Sequence, residues 1–220
     1  MRKRILNLIT LGLIVATLTA LLPIPNTVKA VENKPMLLAR NNVWSSASFP
    51  VERFQRYTSP FGYRRRGGRV EFHNGLDIAA PQGSYIRNWW GGTVIKVGDR
   101  GACGTHIIVK SGSWRHSYCH MKGSVEKING KLYMVDRGGG IKIAKGQRIP
   151  AGARIGRIGM TGRTTGPHLH WVLRHGNNYV DPAQVLKAMY SKQKISNSSN
   201  IRGSQRIQIK LEESKLINQQ

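Results

Sequence analysis

Between about Tyr57 and Tyr190 the chain reads as short apolar and β-branched runs punctuated by glycine, the pattern of strands linked by turns. Six runs predict strands: Arg69–His73, Thr93–Val97, Thr105–Lys110, Arg115–His120, Arg154–Ile158 and His168–Leu173. Asp181-Pro182 then supplies an N-cap and a first-turn proline for a short helix through Met189, with Val185, Leu186 and Met189 on one face. Residues 31–55 are polar, are interrupted by Pro35 and Pro50, and read as a lead-in segment. Residues 191–220 lack aromatics and periodicity and read as a disordered tail, in which Ile207–Lys210 could pair as an edge strand. The expected architecture is mostly β, with antiparallel sheets and a short C-terminal helix in one domain at 56–190. There is no internal repeat.

The N-terminus follows a different pattern. Met1-Arg2-Lys3-Arg4 is positive, no charge occurs from Ile5 to Val28, and Leu11–Leu22 is almost wholly apolar. With Val28-Lys29-Ala30 as a cleavage site, residues 1–30 read as a signal peptide for export to the periplasm or the cell exterior. Pro23, Pro25 and the short apolar core argue against a stable membrane span. Of 220 residues, 35 are Lys or Arg and 10 are Asp or Glu, a net +25. Residues 1–30 carry Arg2, Lys3, Arg4 and Lys29 and no acid, so the remainder holds about +21. A charge of that size calls for an anionic partner. Nucleic acid, anionic lipid and acidic envelope polymers all qualify by charge. The basic-aromatic interleaving of nucleic-acid recognition is absent, and nucleic acid is not expected.

Export changes the meaning of the two cysteines. Outside the cytoplasm thiols tend to be oxidised, and Cys103 and Cys119 flank a predicted hairpin whose turn is Ser111-Gly112-Ser113. A bridge is the expectation, against two buried free thiols.

The seven histidines matter through their spacing. In His168-Leu169-His170 the two imidazoles sit at i and i+2 of a strand and face one side. In His73-Asn74-Gly75-Leu76-Asp77 the Asn-Gly pair turns the chain, so that His73 and Asp77 fold toward a common point. Imidazole and carboxylate together suit zinc. His73, Asp77 and one histidine of the 168/170 pair would make three ligands with a fourth position left for water, the catalytic rather than the structural zinc pattern. The other histidine and His120, after Tyr118-Cys119, would then stand beside the metal as proton acceptor or oxyanion stabiliser.

Four blocks, Phe61-Gly-Tyr63-Arg64, His73-Asn-Gly-Leu-Asp77, Tyr118-Cys-His120 and Thr161-Gly-Arg-Thr-Thr-Gly-Pro-His168-Leu-His170-Trp171, resemble the signature of the lysostaphin/LytM-type zinc peptidases. The resemblance runs from about Tyr57 to Leu186. It implies a grooved antiparallel β domain with one zinc ion, held by His73, Asp77 and His170, that hydrolyses peptide bonds in peptidoglycan. It implies His120 and His168 as catalytic histidines and Tyr63 at the oxyanion. A longer excursion at Val125–Gly140 and the cysteine pair depart from the family pattern; the excursion is expected beside the groove. The resulting expectation is an exported, monomeric zinc endopeptidase acting on peptidoglycan, its basic surface resting on anionic envelope polymers. The rival is a catalytically silent wall-binding protein or hydrolase activator of the same fold.

Overall fold

A computed structural model of the protein describes residues 46–217. The strands in chain order are β1 (Arg56–Ser59), β2 (Gly62–Arg66), β3 (Arg69–His73), β4 (Leu76–Ala79), β5 (Tyr85–Arg87), β6 (Gly92–Gly98), β7 (His106–Ser111), β8 (Trp114–Cys119), β9 (Ser124–Ile128), β10 (Lys131–Asp136), β11 (Ile141–Ala144), β12 (Arg148–Ile149), β13 (Arg154–Arg157), β14 (His168–His175) and β15 (Asn178–Val180). An α-helix, α1 (Pro182–Ile217), follows. The fold is therefore mostly β and antiparallel, as the alternating pattern predicts. The large sheet has the order β1-β4-β14-β8-β7-β6-β12, with β15 beside β14.

Period-two alternation divides the large sheet into two faces. Leu169, Trp171 and Leu173 of β14, Tyr118 of β8, and Ile107 and Val109 of β7 are fully buried and pack around Trp89. His168, His170, Val172 and Arg174 of β14, with Ser117 and Cys119 of β8, line a groove of about 1580 Å³ on the other face. That volume exceeds an ordinary small-molecule pocket and suits an extended chain. The core face also holds a polar thread. Ser111 Oγ donates to the Gly91 carbonyl (2.7 Å) and accepts from His116 Nε2 (2.9 Å). His116 Nδ1 in turn accepts from the Tyr118 hydroxyl at 2.8 Å.

The excursion after Met121 forms its own three-stranded sheet, β11-β10-β9, and Leu132 and Lys145 from this region reach the groove wall. Arg157 of β13 clamps it through two hydrogen bonds to Asp136, both 2.7 Å. Cys103 and Cys119 are bridged, their Cα atoms 4.9 Å apart.

Two expectations change. The predicted disordered tail is helical as far as Ile217, and Ile207–Lys210 lies inside α1 rather than in an edge strand. Asp181 Oδ1 caps the helix by accepting from the Ala183 N–H at 2.9 Å. Its first turns bury Val185, Leu186 and Met189. Beyond Tyr190 no proline interrupts it, and serine hydroxyls fold back onto carbonyls four residues earlier, as from Ser191 to Lys187 and Ser198 to Lys194. Missing apolar periodicity signalled an exposed helix, not an unfolded one. The second change is that the lead-in reaches into the core. Ala47 and Val51 are buried, the Ser48 N–H donates to the Trp89 carbonyl (2.8 Å), and Val51 bridges to Ile86. The predicted signal sequence lies outside the described residues. Among those described, no helix is long and apolar enough to cross a membrane.

Candidate active site

Four stretches of chain meet in the groove. β3 delivers His73, and the Asn74-Gly75 turn carries the chain straight into β4, where Asp77 occupies a fully buried strand. Close approach demands glycine at 75: a Cβ there would lie 2.7 Å from both His170 Cε1 and the Trp171 carbonyl oxygen. Antiparallel register then sets His170 opposite Asp77 on one side and opposite Cys119 on the other. His120, one residue beyond Cys119, has a left-handed backbone (φ 60°) that turns its ring into the same space.

The ligand atoms nearly touch. His73 Nε2 lies 3.1 Å from Asp77 Oδ1, His170 Nδ1 lies 2.8 Å from the same oxygen, and the two ring nitrogens are 3.0 Å apart. Tetrahedral ligands about 2.05 Å from zinc stand about 3.3 Å from one another, so this triangle fits the ion. Each imidazole is also braced from behind. His73 Nδ1–H donates to the Pro60 carbonyl at 2.7 Å, and His170 Nε2–H to Asn74 Oδ1 at 3.2 Å. These bonds leave the inner nitrogens as bare lone pairs facing a carboxylate oxygen. In these tautomers three acceptors converge on one point, a donor set that suits a cation. His73, Asp77 and His170 are the group among the described residues whose geometry could hold a metal.

His120 and His168 flank the triangle, their ring centroids 4.8 Å apart. His120 Nδ1–H donates to the Thr161 carbonyl (2.8 Å) and His168 Nδ1–H to the Gly166 carbonyl (2.8 Å), which turns both Nε2 atoms inward. His168 Nε2 is 3.5 Å from Asp77 Oδ1. Burial pushes His120 down to about 4, so its ring is neutral near pH 7. Burial works against the Asp77 charge, which a cation held among the three side chains would offset.

Tyr63 does not join them. β2 and β3 pair Tyr63 with Phe72 and Arg64 with Glu71, so Tyr63 occupies the hairpin face opposite His73. Its ring packs edge-on against Phe72 at 5.1 Å and is 82 % exposed. Arg64 occupies the inner face instead, held by Glu71 at 2.7 Å and reaching within 3.5 Å of Asp77 Oδ2. The side chain of this hairpin that stands near the His73–Asp77–His170 triangle is thus a guanidinium and not the expected tyrosine. The hairpin register decides this, and the motif alone does not contain it. The bracing groups Asn74 and Thr161 also went unread. Both lie inside the histidine blocks, where nothing in the sequence marks them as braces.

The protein-family model for peptidase family M23 matches residues 71–182. The chain belongs to peptidase family M23. Among its relatives, the peptidoglycan DD-endopeptidase ShyB of Vibrio cholerae serotype O1 is 31% identical over 67% of this chain and 33% of its own. The DD-carboxypeptidase/endopeptidase Mpg of Neisseria meningitidis serogroup B is 32% identical over 60% of this chain and 27% of its own. This M23 chain therefore spans between a quarter and a third of the length of these curated relatives. A solved zinc-containing peptidase from Vibrio cholerae aligns at 31% identity and TM-score 0.49, over 64% of this chain and 38% of that one.

Proposed function

We propose that this protein is an exported zinc-dependent endopeptidase that hydrolyses peptide bonds in bacterial peptidoglycan. The observation that carries the reading is the convergence of bare imidazole and carboxylate lone pairs at His73, Asp77 and His170, each histidine braced from behind. M23 membership and the endopeptidase names of the relatives supply the substrate class. Residues 1–30 act as the export signal, 46–190 form the catalytic unit, and the strongly basic chain rests on anionic envelope polymers as a monomer.

Zinc, when held by these three residues, supplies Lewis acidity toward the scissile carbonyl and activates water. The chain itself does the rest. Asp77 supplies the negative charge that would offset the ion's. His120 and His168 turn their Nε2 atoms toward the reacting water, to accept its proton and return it to the departing amine. Arg64, on the inner face of its hairpin, lies within reach of negative charge developing on the former carbonyl oxygen. The groove holds the substrate extended along β14 and β8.

The test is metal analysis of the purified full chain together with release of soluble fragments from isolated peptidoglycan, with and without chelator. About one zinc per chain and chelator-sensitive release, restored by zinc, are expected. Wall binding without release in the zinc-loaded protein would return the reading to a silent binder of the same fold.

A further inference from the structure

Three cations stand side by side on the groove face of the large sheet. Register sets Arg174 of β14 directly opposite Arg115 of β8, and Arg115 opposite Lys110 of β7. Like charges facing each other across neighbouring strands repel. None of the ion pairs among the described residues involves any of the three. The two guanidiniums are instead held by neutral oxygens of the turn after β14. Arg174 Nη2 donates to the Asn177 carbonyl at 2.7 Å, and Arg115 Nη2 to the Gly176 carbonyl at 3.2 Å and Asn177 Oδ1 at 3.5 Å. Arg174 Nε is buried with no hydrogen-bond partner among the described residues, and its guanidinium lies over the Tyr179 ring, 4.8 Å from the centroid.

The row is aligned with the metal ligands. His170, Val172 and Arg174 alternate on one face of β14, so Arg174 lies about 13 Å along the strand from His170. The floor between is neutral: Val172 opposite Ser117, and Ser117 opposite Ile108. The carboxylates lining the groove, Asp77 and Glu71, both belong to the metal end. We propose that the Arg174–Arg115–Lys110 row is a substrate subsite for a carboxylate, and that the groove takes an acidic peptide whose carboxylate lies about four extended residues from the scissile bond. The spacing rests on the peptidase reading, which locates the reacting bond at His73, Asp77 and His170. A carboxylate placed between the guanidiniums turns their mutual repulsion into two charge-assisted contacts.

The probes are cross-linked peptidoglycan fragments with free carboxyl groups and the same fragments after conversion of those groups to primary amides. Cleavage by the zinc-loaded full chain gives KM for each form, and titration of the chelated chain gives Kd for each. The acid form is expected to show a KM and a Kd lower by about tenfold or more. In R115Q/R174Q that ratio falls toward one, whereas R115K/R174K retains most of it, and thermal midpoints report whether each variant folds. Equal handling of both forms by the natural chain overturns the proposal and leaves the peptidase reading standing. A preference kept by a folded R115Q/R174Q variant also overturns it. If neither form is cleaved, the peptidase reading fails and the Kd ratio alone decides whether the row binds carboxylate. Inorganic polyphosphate displacing the acid fragment through the same arginines, at lower concentration than the fragment itself, would assign the row to a phosphate polymer instead.

Discussion

His170 stands directly opposite Asp77 across β14 and β4, its Nδ1 2.8 Å from Oδ1, while its Nε2–H is held by Asn74. One strand register thus sets both the contact between the two side chains and the surroundings that fix the tautomer of the histidine. His120 and His168 approach the same point without belonging to the triangle, and this separates two kinds of variant. H170A is expected to lose both zinc and activity. H120A and H168A are expected to keep about one zinc per chain while turnover of peptidoglycan fragments falls by about 10²–10⁴. Metal analysis beside turnover checks the split, and loss of zinc in H120A would remove His120 from the catalytic role.

The imidazoles also tie stability to pH. Burial pushes His116 down to about 3 and His120 down to about 4. Both rings are neutral in the folded chain but take up a proton near pH 6.5 once it unfolds. The unfolded state therefore binds more protons below about pH 6.5, so stability is fully present above that value and declines as pH falls toward 4. Each group contributes a slope of at most about 1.4 kcal/mol per pH unit. Urea unfolding of the zinc-free chain at about pH 7, 6 and 5 measures the slope, and H116N should flatten it by roughly half. An unchanged slope in that variant would mean that His116 is not held neutral.

The bridge between Cys103 and Cys119 supports the site as well as the fold. The Cys103 carbonyl accepts from the His120 N–H at 2.9 Å, and the neighbouring Thr105 N–H donates to Thr161 Oγ1 at 2.9 Å. Thr161 in turn braces the His120 ring. Closing a loop with a sequence separation of 16 is worth about 3 kcal/mol. C103S/C119S is expected to unfold at lower denaturant concentration and to lose activity beyond what its unfolded fraction explains. G104A should act similarly. Gly104 has φ 61°, and a Cβ there would meet the Thr161 carbonyl carbon at 2.4 Å. Full turnover in the folded serine variant would confine the bridge to stability.

A separate contact secures the three-stranded sheet. Asp136 is 4% exposed and takes both hydrogen bonds from Arg157. Removing the partner leaves a buried carboxylate with only the Gly139 N–H and the charge of Lys122 to offset its burial, and R157M is expected to destabilise the protein by about 3 kcal/mol. Zinc content should not change, because no ligand lies on these strands. Denaturant unfolding and metal analysis together test this.

Much of the centre was legible because the relevant geometry is short-range. His168 and His170 share a strand face by parity, and Asn74-Gly75 folds His73 onto Asp77 within four residues. Where a side chain's position depends on pairing between strands, the motif is silent. Tyr63 and Arg64 are neighbours in sequence, and the β2–β3 register alone decides that Arg64 turns inward. Strands as short as β5 and β12 carry too few residues to show a period, and the polar part of α1 shows none because it buries little. The cation row was equally hidden. Lys110, Arg115 and Arg174 are scattered along the chain and become neighbours only through two sets of strand pairs.

The strip from Ala47 to Val51 has a practical implication for anyone shortening this protein. Its backbone stitches onto Trp89, Arg87 and Ile86, and Gln193 of α1 reaches back to the Ala47 carbonyl. Trp89 is the indole against which Trp114, Trp171 and His116 stack. A version cut to the family match, or begun at Arg56, would open that aromatic nest to solvent from beneath. The smallest autonomous enzyme therefore begins ahead of Ala47 and keeps the opening turns of the helix, a boundary drawn by the hydrophobic interior and not by the peptidase motifs.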